Sequence, residues 1–284
     1  MKHLQKPEIN TKDVVIACAE SYRAETRNGL REKLISAADL IQQESLCYDA
    51  AMRHRDFTCF STHETINGNI VAEDMCYTYD NKFVGVSHIR NKYYDKLMAA
   101  ATTGKCPICG IGQVSNLDHY LAKSIYPIYA LTPANLTPIC RDCNYVKRDA
   151  VFSSDVAPLH PFYDDIDSIE WLCANVAVSN NSLIATYYVN PELSALNPSL
   201  YERLVSHLAL FQLPKAYAIQ AATEISESEQ LWKTQIQKWG LAAFCEHLNE
   251  CLASREQTQY NTGHTALLRA LIKNVHLINE LSTY

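Results

Sequence analysis

Apolar positions recur every three or four residues from about Lys12 to His54, the spacing of helices that bury one face. Val14, Ala17 and Cys18 make one stripe, and Leu30, Leu34, Ala37, Ala38 and Ile41 make a second. The "RNGL" stretch at 27 to 30 interrupts the two, because Asn-Gly favours a turn. From 57 to 86 the periodicity fades into Thr, Tyr, Val and two Gly-containing turns, which predicts short strands or an irregular connection. Helical spacing returns at Ile89, Tyr93, Leu97 and Ala101, with Ser87 as the expected N-cap and an end at "TTGK". Further on, "ANVAVSNNSLIATYYV" predicts a hairpin turning at Asn180-Asn181. Three helical stripes follow: Leu200, Leu204, His207, Leu208 and Phe211; Trp232, Ile236, Trp239 and Ala243; Leu267, Leu271, Val275 and Ile278. His207 lies within the first of these and reads as a packing residue. No repeat or coiled-coil heptad is present.

The pattern predicts a mainly α protein with one irregular centre. The expected regions are a helical one over 1–100, a small module over 101–152, and a hairpin with helices over 153–284. A chain of 284 residues, 48% hydrophobic, can bury a substantial core. It has no run of about 18 apolar residues to cross a bilayer, and "MKHLQKPEINTKD" lacks an apolar signal segment. A cytoplasmic protein without a membrane partner is the expectation.

The chemistry collects in the centre. Eleven Cys form an odd set without an export signal, which argues against a disulfide framework. Four of them, Cys106, Cys109, Cys140 and Cys143, stand as two C-x-x-C pairs, "CPIC" and "CRDC". Two such knuckles complete a tetrahedral thiolate site, with Gly110 suited to the turn after the second Cys. Iron also accepts four thiolates; structural Zn²⁺ is the preferred reading for so short a module. Between the pairs, Val114 to His119 can form a strand, "NLTPI" a returning strand, and Cys143 to Asp149 a helix. That arrangement brings Asp118 and His119 near Asn144. Neighbouring side chains on a regular strand face opposite ways, so the strand must end or bulge at this pair.

Asp118-His119, followed by Asn144 within "CRDCNYVK", resembles the motif of the HNH nucleases. The resemblance runs from Cys106 to Asp149. It implies a ββα-metal fold with His119 as general base, and Asp118 and Asn144 offering oxygens to a catalytic Mg²⁺ or Mn²⁺. Asn135 would brace the loop and orient His119, while Lys147 and Arg148 would meet phosphate or remain solvated charges. The chain departs from many members by carrying Asn144 where they have His, and Ala122 where they have Pro in "DHYLPK". Together with "LDHYLAKSIYP", "LHPFYDD" and the helical C-terminal part, the chain is similar to the HNH subunit of Septu-type and retron-linked anti-phage systems (PtuB-like). The expected substrate is nucleic acid, DNA ahead of RNA, although a ββα-metal site contacts mainly backbone and does not itself separate the two. The likeness also implies a hetero-oligomer with a separate ATPase partner (PtuA-like).

The net charge of −6 agrees with a protein that borrows its grip on nucleic acid, since an unaided binder is usually basic. Residues 101–150 differ, with five Lys or Arg against three Asp. No G-x-x-x-x-G-K-[ST] occurs, so nucleotide binding would have to come from the partner. Two other readings stay open: a catalytically silent zinc module for assembly, and a stand-alone homing or restriction-type nuclease. "LHPFYDD" at 159 to 165 reads as a turn closing the nuclease helix, with a substrate contact as the alternative.

Overall fold

The computed structural model describes residues 1–284 except 24–26, 63–64, 155, 181 and 282–284. Helix makes up 55% of the chain, and among the described residues the strands form three two-stranded antiparallel sheets. The mainly α reading therefore holds. Contacts divide the chain into two units, His3–Asp164 and Asp165–Tyr284 with Met1–Lys2.

In the first unit, α1 (Thr11–Glu20) starts at Asn10, whose side chain accepts from the Asp13 N–H. Arg27, Asn28 and Gly29 all hold positive φ, which breaks the helix before α2 (Leu30–His54). Both stripes turn inward: Val14, Cys18, Leu30, Leu34, Ala37 and Ile41 are fully buried. Beyond α2 come β1 (Thr65–Ile66) and β2 (Ile70–Val71). These are the short strands expected, but 72–83 differs from the irregular connection foreseen. It forms α3 (Ala72–Thr78) and a π-helical turn over Tyr79–Phe83, burying Met75, Tyr79 and Phe83 at helical spacing. The next helix runs as α4 (Ser87–Ile89), a π-turn over Arg90–Tyr94, and α5 (Asp95–Ala99). Val86 is its N-cap and Ser87 its first residue, so Ser87 does not cap it. Ile89, Tyr93 and Leu97 are buried as foreseen.

The central segment builds β3 (Val114–His119), β4 (Leu136–Cys140) and α6 (Arg141–Lys147). β3 and β4 pair antiparallel, with Asp118 opposite Thr137 and His119 opposite Leu136, and the register shifts between Val114 and Asn116. Leu117, Tyr120, Leu121 and Leu136 share one hydrophobic core with α1, α2 and the segment 72–97. Regions 1–100 and 101–152 thus fold as one body, because the ββα element is too small to bury its own apolar side chains.

Tyr48, fully buried in the middle of α2, organises the far side of this unit. Its ring packs on Tyr129 at 5.3 Å, Phe60 at 5.5 Å and Tyr163 at 6.3 Å between centroids. "LHPFYDD" closes as a turn: His160 is fully buried, its Nδ1 accepts from Phe162 N–H, and Tyr48 Oη lies 3.3 Å from its Nε2. Asp164 accepts from the His160 N–H and from Arg55 Nε. These bonds make "LHPFYDD" a structural clamp on α2.

In the second unit, β5 (Leu172–Ser179) and β6 (Ser182–Val189) form the expected hairpin. Asn180 holds φ 49°; Asn181 lies outside the described residues. Val176, Leu183, Ala185, Tyr187 and Val189 alternate inward. Behind them lie α7 (Leu193–Leu196), α8 (Pro198–Leu210), α9 (Leu213–Trp239), α10 (Leu241–Glu256), α11 (Gly263–Lys273) and α12 (Val275–Leu281). The first stripe is buried throughout, and His207 packs on Phe211 at 5.0 Å. The second stripe stops early. Gly240, at φ 83°, breaks the helix, so Trp239 and Ala243 are exposed and Phe244 and Leu248 restart the buried face.

Candidate functional site

The two knuckles meet as the spacing requires. Cys106, Cys109, Cys140 and Cys143 are buried, and their four Sγ atoms lie within 4.8 Å of one another. Cys109 Sγ and Cys140 Sγ are 3.9 Å apart. A tetrahedral ion at Zn–S distances near 2.3 Å calls for sulfur separations of ~3.8 Å, and a disulfide for ~2.05 Å. The geometry fits a metal and not a bond between sulfurs.

Backbone N–H groups point at the sulfurs. Ile111 and Gly112 both donate to Cys109 Sγ at 3.4 Å, and Cys143 donates to Cys140 Sγ at 3.5 Å. Gly110 holds φ 71°, which turns the first knuckle. A Cβ on Gly112 would come within 2.7 Å of Cys140 Cβ and Sγ, so this position tolerates only glycine. The four thiols compete for protons. Hydrogen bonding from Cys106 holds Cys109 and Cys140 below the ordinary thiol range, while bonding to Cys109 pushes Cys106 up. A cation bound by thiolates ends that competition.

Because Cys140 caps α6 and Cys106 leads toward β3, the knuckle pair anchors both ends of the ββα element. On its open side lies a cleft of about 370 Å³ lined by Asp118, His119, Asn144, Arg148, Lys123 and Tyr79. Asp118 and His119 share this cleft although they are neighbours, since β3 ends at His119.

His119 is 7% exposed, and its Nε2 donates to the Ala130 carbonyl at 2.9 Å. That bond fixes the tautomer and leaves Nδ1 with the lone pair. Burial lowers its pKa from 6.5 to about 3, with the Lys123 and Lys147 charges adding to the effect. The ring is therefore neutral at pH 7. Tyr79 packs edge-on against it at 4.3 Å between centroids.

Asn135 is fully buried and spends its whole side chain on the loop. Its Oδ1 accepts from the Leu121 N–H at 2.7 Å, and its Nδ2 donates to the Leu121 and Tyr129 carbonyls at 3.0 and 3.2 Å. The Tyr129 carbonyl immediately precedes Ala130, whose carbonyl holds His119. Asn135 thus touches the imidazole through one strap of backbone. Asn135→Ala strands two carbonyls and an N–H in a dry interior. The expected loss is about 3 kcal/mol, read as a fall in Tm of about 6–12 °C. Thermal unfolding of the purified variant checks it.

Lys147 sits elsewhere than a phosphate-contacting surface charge would. It is 3% exposed; Nζ lies 3.0 Å from Asp118 Oδ2 and donates to Asp118 Oδ1 at 3.2 Å and to the His119 carbonyl at 2.7 Å. Burial raises the Asp118 pKa, and the Lys147 charge pulls it back. A lone buried carboxylate is costly, which is why the ammonium turns inward. Arg148 stays exposed at the cleft, and Asn144 is half-buried there.

Tyr79, Asp80 and Lys123 complete the cleft and were not singled out from the sequence. Lys123 pairs with Asp80 at 2.5 Å and lies over the Tyr79 ring at 4.4 Å. The spacing of Met75, Tyr79 and Phe83 was the available signal for this wall.

Among the described residues no helix is long and apolar enough to cross a membrane. The chain is 28% identical over 238 residues to "Protein ea31" of Escherichia phage lambda, across 80% of this chain and 78% of that protein. That name states no activity. No protein-family model matches the chain, and no solved structure matches it.

Proposed function

We propose that the chain is an HNH-type endonuclease that hydrolyses phosphodiester bonds in nucleic acid. One observation carries the reading: a neutral imidazole, pinned at Nε2 by Ala130, shares a cleft with a carboxylate and an amide oxygen donor. Asp118 and Asn144 would hold one Mg²⁺ or Mn²⁺, which supplies Lewis-acid charge to the scissile phosphate and departing oxygen. Oxygen donors that leave room for water and substrate suit that ion. The four Cys would keep Zn²⁺ as a structural ion.

Within that reading His119 Nδ1 takes the proton from the attacking water. Burial holds the ring neutral, so the Nδ1 lone pair is available to accept that proton. Asn135 is the positioning residue, acting through the 121–130 strap. Lys147 aims Asp118 through their ion pair and opposes the effect of burial on its charge. Arg148, exposed at the cleft, is the cation open to phosphate oxygens, with Lys123 paired to Asp80.

The likeness to anti-phage HNH subunits extends the proposal to a defence complex with a separate ATPase partner, acting on DNA in preference to RNA. The acidic balance supports borrowed affinity. Two measurements on the full chain test the reading. Purified protein, alone and with material copurified from its host, should cut plasmid or oligonucleotide only with added Mg²⁺ or Mn²⁺. A nucleotide-binding protein should copurify with it, and with the His119→Ala chain as well. Cleavage that persists in excess EDTA overturns the metal-dependent mechanism. A full-rate monomer with no copurifying ATPase replaces the complex with a stand-alone nuclease.

A further inference from the structure

The exposed face of α6 beyond Asn144 carries an aromatic side chain that the cleavage step does not use, beside the Arg148 that lines the cleft. Tyr145 is 67% exposed, the most exposed aromatic side chain among the large exposed hydrophobics of the first unit. A single exposed Tyr is ordinary; this one is held in place. The Arg148 guanidinium lies over its ring, 4.7 Å from the centroid, and Arg148 Nε donates to the Tyr145 carbonyl at 3.3 Å. Arg148 leaves the helix at φ 47°, ψ −135°, a backbone conformation that costs a non-glycine residue free energy. The bend keeps the guanidinium against the ring while Arg148 still lines the cleft beside Asn144, Asp118 and His119. A planar cation stacked on an exposed aromatic, next to a cleft of about 370 Å³, presents ring surface for stacking and donors for an anion.

We infer that Tyr145 and Arg148 form a subsite for an unpaired nucleobase adjoining the scissile phosphate. The inference rests on the nuclease reading and deepens it by naming the substrate class. A base inside a duplex has both faces covered by its neighbours and cannot stack on a protein ring. A base in a single strand, loop or flipped-out position can, and stacking of this kind is tolerant of sequence. Arg148 would then touch the phosphate next to that base, and Tyr145 would hold the base itself. The preferred strand is therefore one whose bases are free at the cleavage point.

The test measures binding separately from cutting. Fluorescein-labelled 20-mers are titrated into the full chain carrying His119→Ala with Mg²⁺ present. The probes are single-stranded DNA, single-stranded RNA of the same sequence, and the blunt DNA duplex. The single strands should bind about tenfold or more tightly than the duplex, and Tyr145→Ala should remove about that factor. Tyr145→Trp should keep it. Which single strand binds better assigns the base to DNA or to RNA. Equal binding of single strand and duplex, or Tyr145→Ala binding like its parent, overturns the subsite. Cleavage by the chain with His119 intact reports on the nuclease reading alone. If neither strand form is cut although the Tyr145-dependent preference persists, that reading fails and the base subsite stands.

Discussion

Cys140→Ser should leave the chain without its structural metal and collapse the His3–Asp164 unit. The purified protein should carry about one zinc, because four thiolates close one tetrahedral site; the variant should carry close to none. Structural zinc binding supplies roughly 10–16 kcal/mol, as much as or more than the whole ~5–15 kcal/mol stability of a domain. Serine offers a poor ligand, and Cys140 is also the N-cap of α6, accepting from the Cys143 N–H. Loss spreads beyond the knuckles, since Leu117, Tyr120, Leu121 and Leu136 belong to the core shared with α1 and α2. The second unit has its own core over Asp165–Tyr284. Limited proteolysis should therefore digest the first unit and leave a resistant fragment near residues 165–284. Elemental analysis that finds no metal in intact, protease-resistant parent protein would sink the zinc assignment.

How far the sequence foretold this arrangement depends on what fixes each element. Cys spacing is local chemistry, so "CPIC" and "CRDC" named the metal cluster, and β3 spans 114–119 as read. Stripes on helices of ten residues or more were equally legible, because the spacing then repeats often enough to outweigh local ambiguity. Short elements were not. The helix at 72–78 has only seven residues and the π-turn after it, which carries the Tyr79 and Asp80 wall of the cleft, has five, too few for a legible period. Lys147 ends a short helix and Arg148 is its C-cap, and sequence cannot say which of them turns inward. The buried carboxylate of Asp118 decides it, a tertiary fact, and Arg148 is turned outward by a backbone that leaves the helix at positive φ. Likewise Gly240 ended a stripe that Trp239 and Ala243 seemed to continue. The Asp118–His119 pair looked incompatible with a regular strand. Ending the strand at His119 resolves it, and the Asn135-braced strap is what holds the imidazole there.

In the proposed nuclease, His119→Ala should remove phosphodiester cleavage while the chain keeps its fold, its four-Cys metal and any ATPase that copurifies with the parent. Among the described residues the imidazole makes one hydrogen bond, to Ala130, and one edge contact, with Tyr79. Truncating it costs packing but strands no charge, because burial holds the ring neutral. As general base it acts mainly in the transition state, so its loss lowers kcat by about 10²–10⁴-fold with little change in KM. Asp118→Ala should behave differently. It leaves Lys147 as an unpaired buried ammonium, a loss of about 3–5 kcal/mol, and it removes an oxygen donor from the proposed ion. Asn144→Ala removes the other donor without touching that ion pair, so its defect should be relieved in part by raising Mg²⁺ or Mn²⁺. The His119 variant gains nothing from added metal, which separates a missing base from a weakened metal site. Cleavage by His119→Ala at the parent rate rejects the role assigned to His119, even if the protein is a nuclease.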